Sequence, residues 1–185
     1  MERPGSKAWW RAELRRRDRA VDPAVSAAVR SALRALLDGV DGVVLAYRSL
    51  PGEVDLDPLL HGAPDRFALT RTPEEGPLTI HPASSETELH RFGFVQPRAD
   101  AELLPDHDVA VVLVPGLAFD RRGGRLGRGR GHYDRLLARL GAEVWRVGVT
   151  SASSVIEEVP SETHDVPMTH LVTERGAIEV SRSRP

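Results

Sequence analysis

The run from Val109 to Val114 constrains this chain more than any other stretch. It reads Val-Ala-Val-Val-Leu-Val and is closed by Pro115-Gly116. It is too short for a helix and rich in valine, so it predicts a strand buried on both faces, as in a parallel sheet. A glycine-rich loop follows, holding Gly123, Gly124, Gly127, Gly129 and Gly131. Tyr133, Leu136, Leu137 and Leu140 then recur at helical spacing. Strand, glycine loop and helix is the order in which backbone N–H groups and a helix N-terminus cradle an anion.

Arg121, Arg122, Arg125, Arg128 and Arg130 sit among those glycines. Glycine lets the backbone approach a ligand closely, and guanidinium groups match phosphate and carboxylate as bidentate donors. Together they suggest a polyanion such as a nucleoside triphosphate. The same spacing also suits an ordinary exposed loop, because the whole chain is arginine-rich. Its basic residues are 24 arginines and one lysine, Lys7. Arginine abundance alone therefore says little about anion binding.

At 185 residues the chain predicts one domain, 1–185, with a substantial core. A net charge of −2 gives no global drive towards nucleic acid or a membrane surface. Cysteine is absent, which excludes disulfides and thiolate metal sites. No apolar run approaches membrane-span length and no signal-peptide core is present, so the expected setting is cytoplasmic. His81, His164 and His170 lack zinc-ligand spacing, and no zinc site is expected.

Ser6 can cap a helix over about 6–20, with Lys7, Trp10, Arg11 and Leu14 on one face. That face predicts a helix packed on the body with two cations turned inward. Asp22 and Pro23 start a second helix that ends at Gly39. Gly42 to Tyr47 reads as a buried strand leading to Arg48 and Glu53, then a short helix through Leu59 and Leu60. In doubly wound sheets ligands sit beyond the carboxyl ends of strands, which favours Glu53 as a site residue. Arg66 to Thr70 and Leu78 to Ile80 read as strands, with an antiparallel hairpin possible over 66–82. Val144 to Val149 and His170 to Thr173 complete an alternation that predicts a three-layer α/β/α fold with a mostly parallel sheet.

Pro115-Gly116-Leu117-Ala118-Phe119-Asp120, followed by Gly124-Arg125-Leu126-Gly127-Arg128-Gly129-Arg130-Gly131-His132-Tyr133-Asp134, resembles the signature of the 5-formyltetrahydrofolate cyclo-ligase family. That family is also called 5,10-methenyltetrahydrofolate synthetase. Lys7-x-x-Trp10-Arg11, Glu53-Val54-Asp55, Gly93-Phe94-Val95-Gln96-Pro97 and Pro160-x-Glu162-x-His164-Asp165 resemble its other segments, so the likeness runs from Lys7 to Glu174. His132 departs from it, standing where a tyrosine is usual, and Ser154 stands where glutamine is frequent. Leu78, Ile80 and His81 replace the methionine and aromatic that often line the pterin pocket.

The resemblance implies a fold similar to the sugar-phosphate isomerase and CoA-transferase group. It also implies ATP- and Mg²⁺-dependent closure of 5-formyltetrahydrofolate to 5,10-methenyltetrahydrofolate. Carried over, Lys7, Arg125 and Arg130 would be catalytic. A nucleotide loop over 120–134 would bind ATP through Gly124, Arg125, Leu126, Gly127, Arg128, Gly129, Arg130, Gly131, His132 and Tyr133, joined by Lys7 and Arg11. Arg48, Glu53, Arg128, His132 and Tyr133 would contact the folate, and Asp134 and Asp165 would hold the metal. The expected partners are the folate and ATP, without nucleic acid or membrane, on a monomer or weak homodimer. Two other readings stay open: a phosphotransferase of the same fold with a different small substrate, and a non-catalytic nucleotide- or RNA-binding module. The net charge and the lack of interleaved aromatics count against RNA.

Overall fold

The computed structural model describes residues 5–17, 20–91 and 93–180, with the side chains of Arg15 and Arg17 left aside. Its centre is the predicted strand, β6 (Val109–Val114), which has neighbours on both sides. Five strands run parallel in the large sheet. They are β2 (Phe67–Arg71), β1 (Val43–Ala46), β6, β9 (Trp145–Val149) and β11 (His170–Thr173). An antiparallel strand closes each edge: β3 (Thr79–Pro82) beside β2, and β12 (Gly176–Glu179) beside β11. The hairpin expected over 66–82 is thus present, whereas β12 had no counterpart in the sequence reading.

The sheet is covered on both faces, which makes three layers. One face takes α2 (Pro23–Leu37), whose Val29, Leu33 and Leu37 pack with Val44, Leu69, Val111 and Val147. Their helical spacing puts three apolar side chains in one stripe, each contributing about 1.5–3 kcal/mol on burial. Asp22 caps this helix by accepting the Ala24 N–H at 2.7 Å, with Pro23 in the first turn. The helix stops at Leu37, two residues short of Gly39, whose positive φ of 75° belongs to the turn. The short α3 (Asp57–Gly62) joins the same layer through Leu59 and Leu60. The opposite face takes α4 (His132–Arg139) through Leu136 and Leu137, with Leu140 just beyond it.

Two small sheets stand outside these layers. β4 (Thr87–Leu89) and β5 (Val95–Pro97) form a hairpin. β7 (Ala118–Asp120) and β8 (Arg125–Leu126) form another, to which β10 (Val155–Ile156) adds in parallel. The second of these corrects the sequence reading. The stretch after β6 is not one open glycine loop, because part of it pairs as β7–β8, with 121–124 as the turn of that hairpin and 127–131 as the loop that leads into α4. The N-terminal helix α1 (Lys7–Arg17) rests on this small sheet, with Trp10 and Leu14 against Ala118, Leu126 and Val159. Its predicted extension to residue 20 runs into residues 18 and 19, which lie outside the described residues. Among the described residues no helix is long and apolar enough to cross a membrane.

Candidate active site

Strand order locates the site. From β1 the chain moves to β2 on one side, then returns to place β6 on the other side of β1. The connections leaving β1 and β6 diverge there, and the crevice between them is where open α/β sheets bind ligands. A cavity of about 580 Å³ lies at this point. Tyr47, Arg48 and Glu53 line it from the end of β1, Thr70 and Thr72 from the end of β2, and Pro115 and Gly116 from the end of β6. The glycine loop and α4 add Arg125, Gly127, Arg128, Gly129, Arg130, Gly131, His132, Tyr133 and Asp134. The volume suits a small-molecule site.

Five of the cavity's cations have definite partners. Lys7 and Arg11 project from the same face of α1, one turn apart, as their spacing predicts. Lys7 Nζ donates to both oxygens of Asp165 at 2.7 and 2.6 Å, and Glu162 lies 3.3 Å away. Arg11 Nε donates to the Gly127 carbonyl at 2.9 Å, which ties α1 to the glycine loop. The Arg125 side chain is 6% exposed. It donates to Asp134 Oδ1 at 2.7 Å, lies 5.7 Å from the Tyr133 ring centroid, and keeps a buried Nε–H with no partner. Arg128 Nε donates to Glu53 Oε1 at 3.1 Å, while Glu53 Oε2 accepts the Leu50 N–H at 2.9 Å. Arg48 donates to Asp57 at 2.7 Å. Arg121 and Arg122 are exposed and do not line the cavity, so only three of the five loop arginines serve it.

Two residues expected at the nucleotide site stand elsewhere. Leu126 is fully buried beneath α1, because its strand β8 turns it into the apolar cluster with Ala118 and Val159. Gly124 also lies outside the cavity lining; its N–H donates to Asp120 Oδ1 at 2.8 Å, and its Cα faces the Asp120 carboxylate so closely that a Cβ would collide with it. Ile80 and His81 do not reach the cavity either. Ile80 is in the core, and His81 bonds the Glu102 carbonyl and Thr79 at 2.8 Å each, leaving Leu78 as that segment's contribution. Gln96 binds the Thr72 N–H and Glu88 and is buried away from the cavity.

Asp165 arrives by way of the small sheet. Asp120 Oδ2 accepts the Val159 N–H at 2.8 Å, and the Met168 N–H donates to the Gly123 carbonyl at 2.9 Å. These bonds fasten both ends of segment 159–168 to the β7–β8 hairpin, so the turn carrying Glu162, His164 and Asp165 faces Lys7. Ligand atoms of these three residues lie within 4.8 Å of one another. The sequence reading missed this grouping of Glu162 and His164 with Asp165, since ligand spacing was sought only among histidines. It also missed Asp120 as the organiser of the loop, although its place in the signature block was a signal. Nothing in the sequence pointed to His90 as a cavity residue.

Burial sets the protonation of the aromatic groups. The Tyr133 hydroxyl is pushed well above its ordinary value by burial; the Thr70 hydrogen bond opposes this, the Glu53 charge adds to it, and Arg125 opposes it. Burial likewise raises Tyr47, with Glu53, Tyr133 and Asp55 adding. Both therefore stay protonated and able to donate at neutral pH. His132 is pushed down by burial and by the charges of Arg135 and Arg130, and its Nδ1 lies 3.2 Å from Arg135 Nη2. For Asp165, burial alone would raise the carboxyl. The Lys7 ammonium, the Glu162 N–H and the His164 charge outweigh that and hold it below the usual carboxylate range.

Comparison with known proteins gives one consistent outcome. The model of the 5-formyltetrahydrofolate cyclo-ligase family matches residues 6–174. A 5-formyltetrahydrofolate cyclo-ligase of Escherichia coli strain K12 is 28% identical over 180 residues, covering 86% of this chain and 96% of that protein. One of Mycolicibacterium smegmatis is 43% identical over 86 residues, but that match spans only 46% of this chain and 43% of the relative. The solution structure of 5,10-methenyltetrahydrofolate synthetase from Aquifex aeolicus superposes with a TM-score of 0.79 at 28% identity, covering 97% of this chain and 95% of that one. The synthetase of Mycoplasma pneumoniae, at 16% identity and a TM-score of 0.72, shares the fold. This chain belongs to the 5-formyltetrahydrofolate cyclo-ligase family.

Proposed function

We propose that this chain closes 5-formyltetrahydrofolate to 5,10-methenyltetrahydrofolate at the expense of ATP, releasing ADP and phosphate. One observation carries the reading. Lys7 and Arg11 from α1 and Arg125, Arg128 and Arg130 from the glycine loop line one cavity together with Glu53 and Tyr133. That arrangement provides charge for a triphosphate and polar groups for a second ligand in the same space.

The chemistry requires both. The N5-formyl oxygen is a poor leaving group, because the N5 lone pair is delocalised towards it. In the first step this oxygen attacks the γ-phosphorus, and the bond to the bridging oxygen breaks with its electron pair leaving on ADP. The formyl carbon is then electrophilic. The neighbouring N10 adds to it, an intramolecular step favoured by proximity, and loses its proton. The C–O bond to phosphate breaks and leaves the methenyl bridge. No protein nucleophile is needed; the protein must position the two ligands and stabilise charge on the moving phosphoryl group. Lys7, Arg11, Arg125 and Arg130 serve that purpose in this reading, while Arg128 holds Glu53 for the folate. Arg48 and His132 line the same cavity and are read as further folate contacts.

Magnesium fits the donor set. Asp134 and Asp165 both line the cavity, and the ion takes one or two carboxylates with phosphate oxygens. When bound, the ion would offset the negative charge of the phosphates. Both carboxylates already neighbour a cation, Arg125 and Lys7 respectively.

The decisive assay mixes purified protein, Mg-ATP and 5-formyltetrahydrofolate and follows the absorbance of methenyltetrahydrofolate. Product growth that requires ATP is the expected result. ATP hydrolysis stimulated equally by unrelated formyl compounds, without methenyl product, would instead indicate a different small substrate.

A further inference from the structure

The β4–β5 hairpin presents a pair of stacked rings to the cavity. The ladder runs Glu88 opposite Gln96 and Leu89 opposite Val95. It continues one step further, because the His90 N–H donates to the Phe94 carbonyl at 2.8 Å. His90 and Phe94 are therefore a directly opposed cross-strand pair, and Gly93 at a φ of 83° makes the tight return between them. Their rings stack at 4.3 Å between centroids and 19° between planes. Both line the cavity.

Period-two alternation puts Glu88, His90, Phe94 and Gln96 on one face of the hairpin. That face is fastened to the end of β2. Arg71 Nη2 donates to Glu88 Oε1 at 2.9 Å, Gln96 Nε2 donates to the same oxygen at 3.2 Å, and Gln96 Oε1 accepts the Thr72 N–H at 3.0 Å. The rings thus stand on a rigid strut rather than on a loose loop. The strut ends at Thr72, two residues from Thr70, whose side chain bonds the Tyr133 hydroxyl beside Glu53. Tyr133 and Glu53 line the same cavity and are the groups read above as folate contacts.

We propose that His90 and Phe94 are the specificity-determining wall of this site, against which the flat rings of the folate stack. The assignment rests on the cyclo-ligase reading. Burial, with the charges of Arg91, Arg130 and Arg71, lowers the His90 pKa, so at neutral pH the imidazole meets its ligand as a neutral ring. Offset stacking of aromatic rings adds to simple area burial.

The test measures KM for 5-formyltetrahydrofolate and for ATP, and titrates 5-formyltetrahydrofolate calorimetrically without ATP. His90→Ala and Phe94→Ala should each weaken folate binding and raise its KM by about ten-fold, with KM for ATP changed less than about two-fold. His90→Phe, which keeps the stack, should stay within about two-fold of the parent. Leu89→Ala, 72% exposed and outside the cavity lining, should change neither constant. If Phe94→Ala does not fold, the contrast between His90→Ala and His90→Phe carries the test. Unchanged folate affinity in His90→Ala, or a rise in KM for ATP alone, overturns the wall. Failure of the parent protein to form methenyl product while it binds the folate would refute the ligase reading, and the titration would still decide the wall. A parent that does not bind the folate would refute both.

Discussion

Asp120 gives a sharp quantitative prediction. It is 4% exposed and ends β7. Oδ1 accepts the N–H groups of Arg122 and Gly124, and Oδ2 accepts that of Val159, each at 2.8 Å. Asp120→Ala removes the acceptor of all three bonds. The Arg122 N–H sits at an exposed residue and can turn to water, so it is left out of the reckoning. The other two are hydrogen bonds to a carboxylate, worth about 1.5–3 kcal/mol each. Taking the lower end, the substitution should cost about 3 kcal/mol, a shift of about 6–12 °C in Tm for a chain of this size. Urea unfolding followed by far-UV circular dichroism measures it, with thermal melting as the check. The segment bearing Asp165 hangs on the Val159 bond, so ATP-dependent turnover should fall as well, even well below the melting temperature. A loss of under about 1 kcal/mol would mean that the β7–β8 turn and segment 159–168 hold themselves without this carboxylate, and the reasoning would fail.

Three further outcomes follow from the geometry. Lys7→Ala should lower turnover and raise KM for ATP while leaving folate affinity nearly unchanged, and Arg16→Ala, on an exposed part of α1, is the control; parental ATP kinetics for Lys7→Ala would remove Lys7 from the phosphate site. The folded-state pKa of Asp165 is depressed, so its contribution is present above the unfolded carboxyl value of about 3.9 and is lost as pH falls through the folded one. Acid below about pH 4 should therefore loosen α1, read from the fluorescence of Trp9 and Trp10, and Asp165→Asn should abolish that transition. Asp134→Asn should raise the magnesium concentration needed for half-maximal turnover by about ten-fold, the expected cost of removing one of few carboxylate ligands; an unchanged magnesium titration would take Asp134 out of the metal site.

The sequence by itself determined the elements whose signals are local. The valine run could only be a buried strand, since a surface strand would alternate. Asp22-Pro23 marked the start of α2 because a cap and a proline act within one turn. Lys7, Trp10, Arg11 and Leu14 shared a face because helical spacing alone requires it. The signature from Pro115 to Asp134 carried the family, and with it eleven of the residues that line the cavity.

Tertiary structure decided which members of that block reach the ligand space. Gly124 and Leu126 read like their neighbours in the signature, yet β7–β8 pairing turns one onto Asp120 and the other into the core. That pairing is a contact between segments, and periodicity over so short a strand cannot report it. The strand order places the ends of β1 and β6 side by side although more than sixty residues separate them. Lys7 meets Asp165 across 158 residues of chain because α1 and the turn after β10 both pack on the same small sheet. His90 and Phe94 become a stacked pair only because a hairpin register sets them opposite each other. In every such case the deciding energy is packing and hydrogen bonding between distant segments, which the order of residues along the chain does not display.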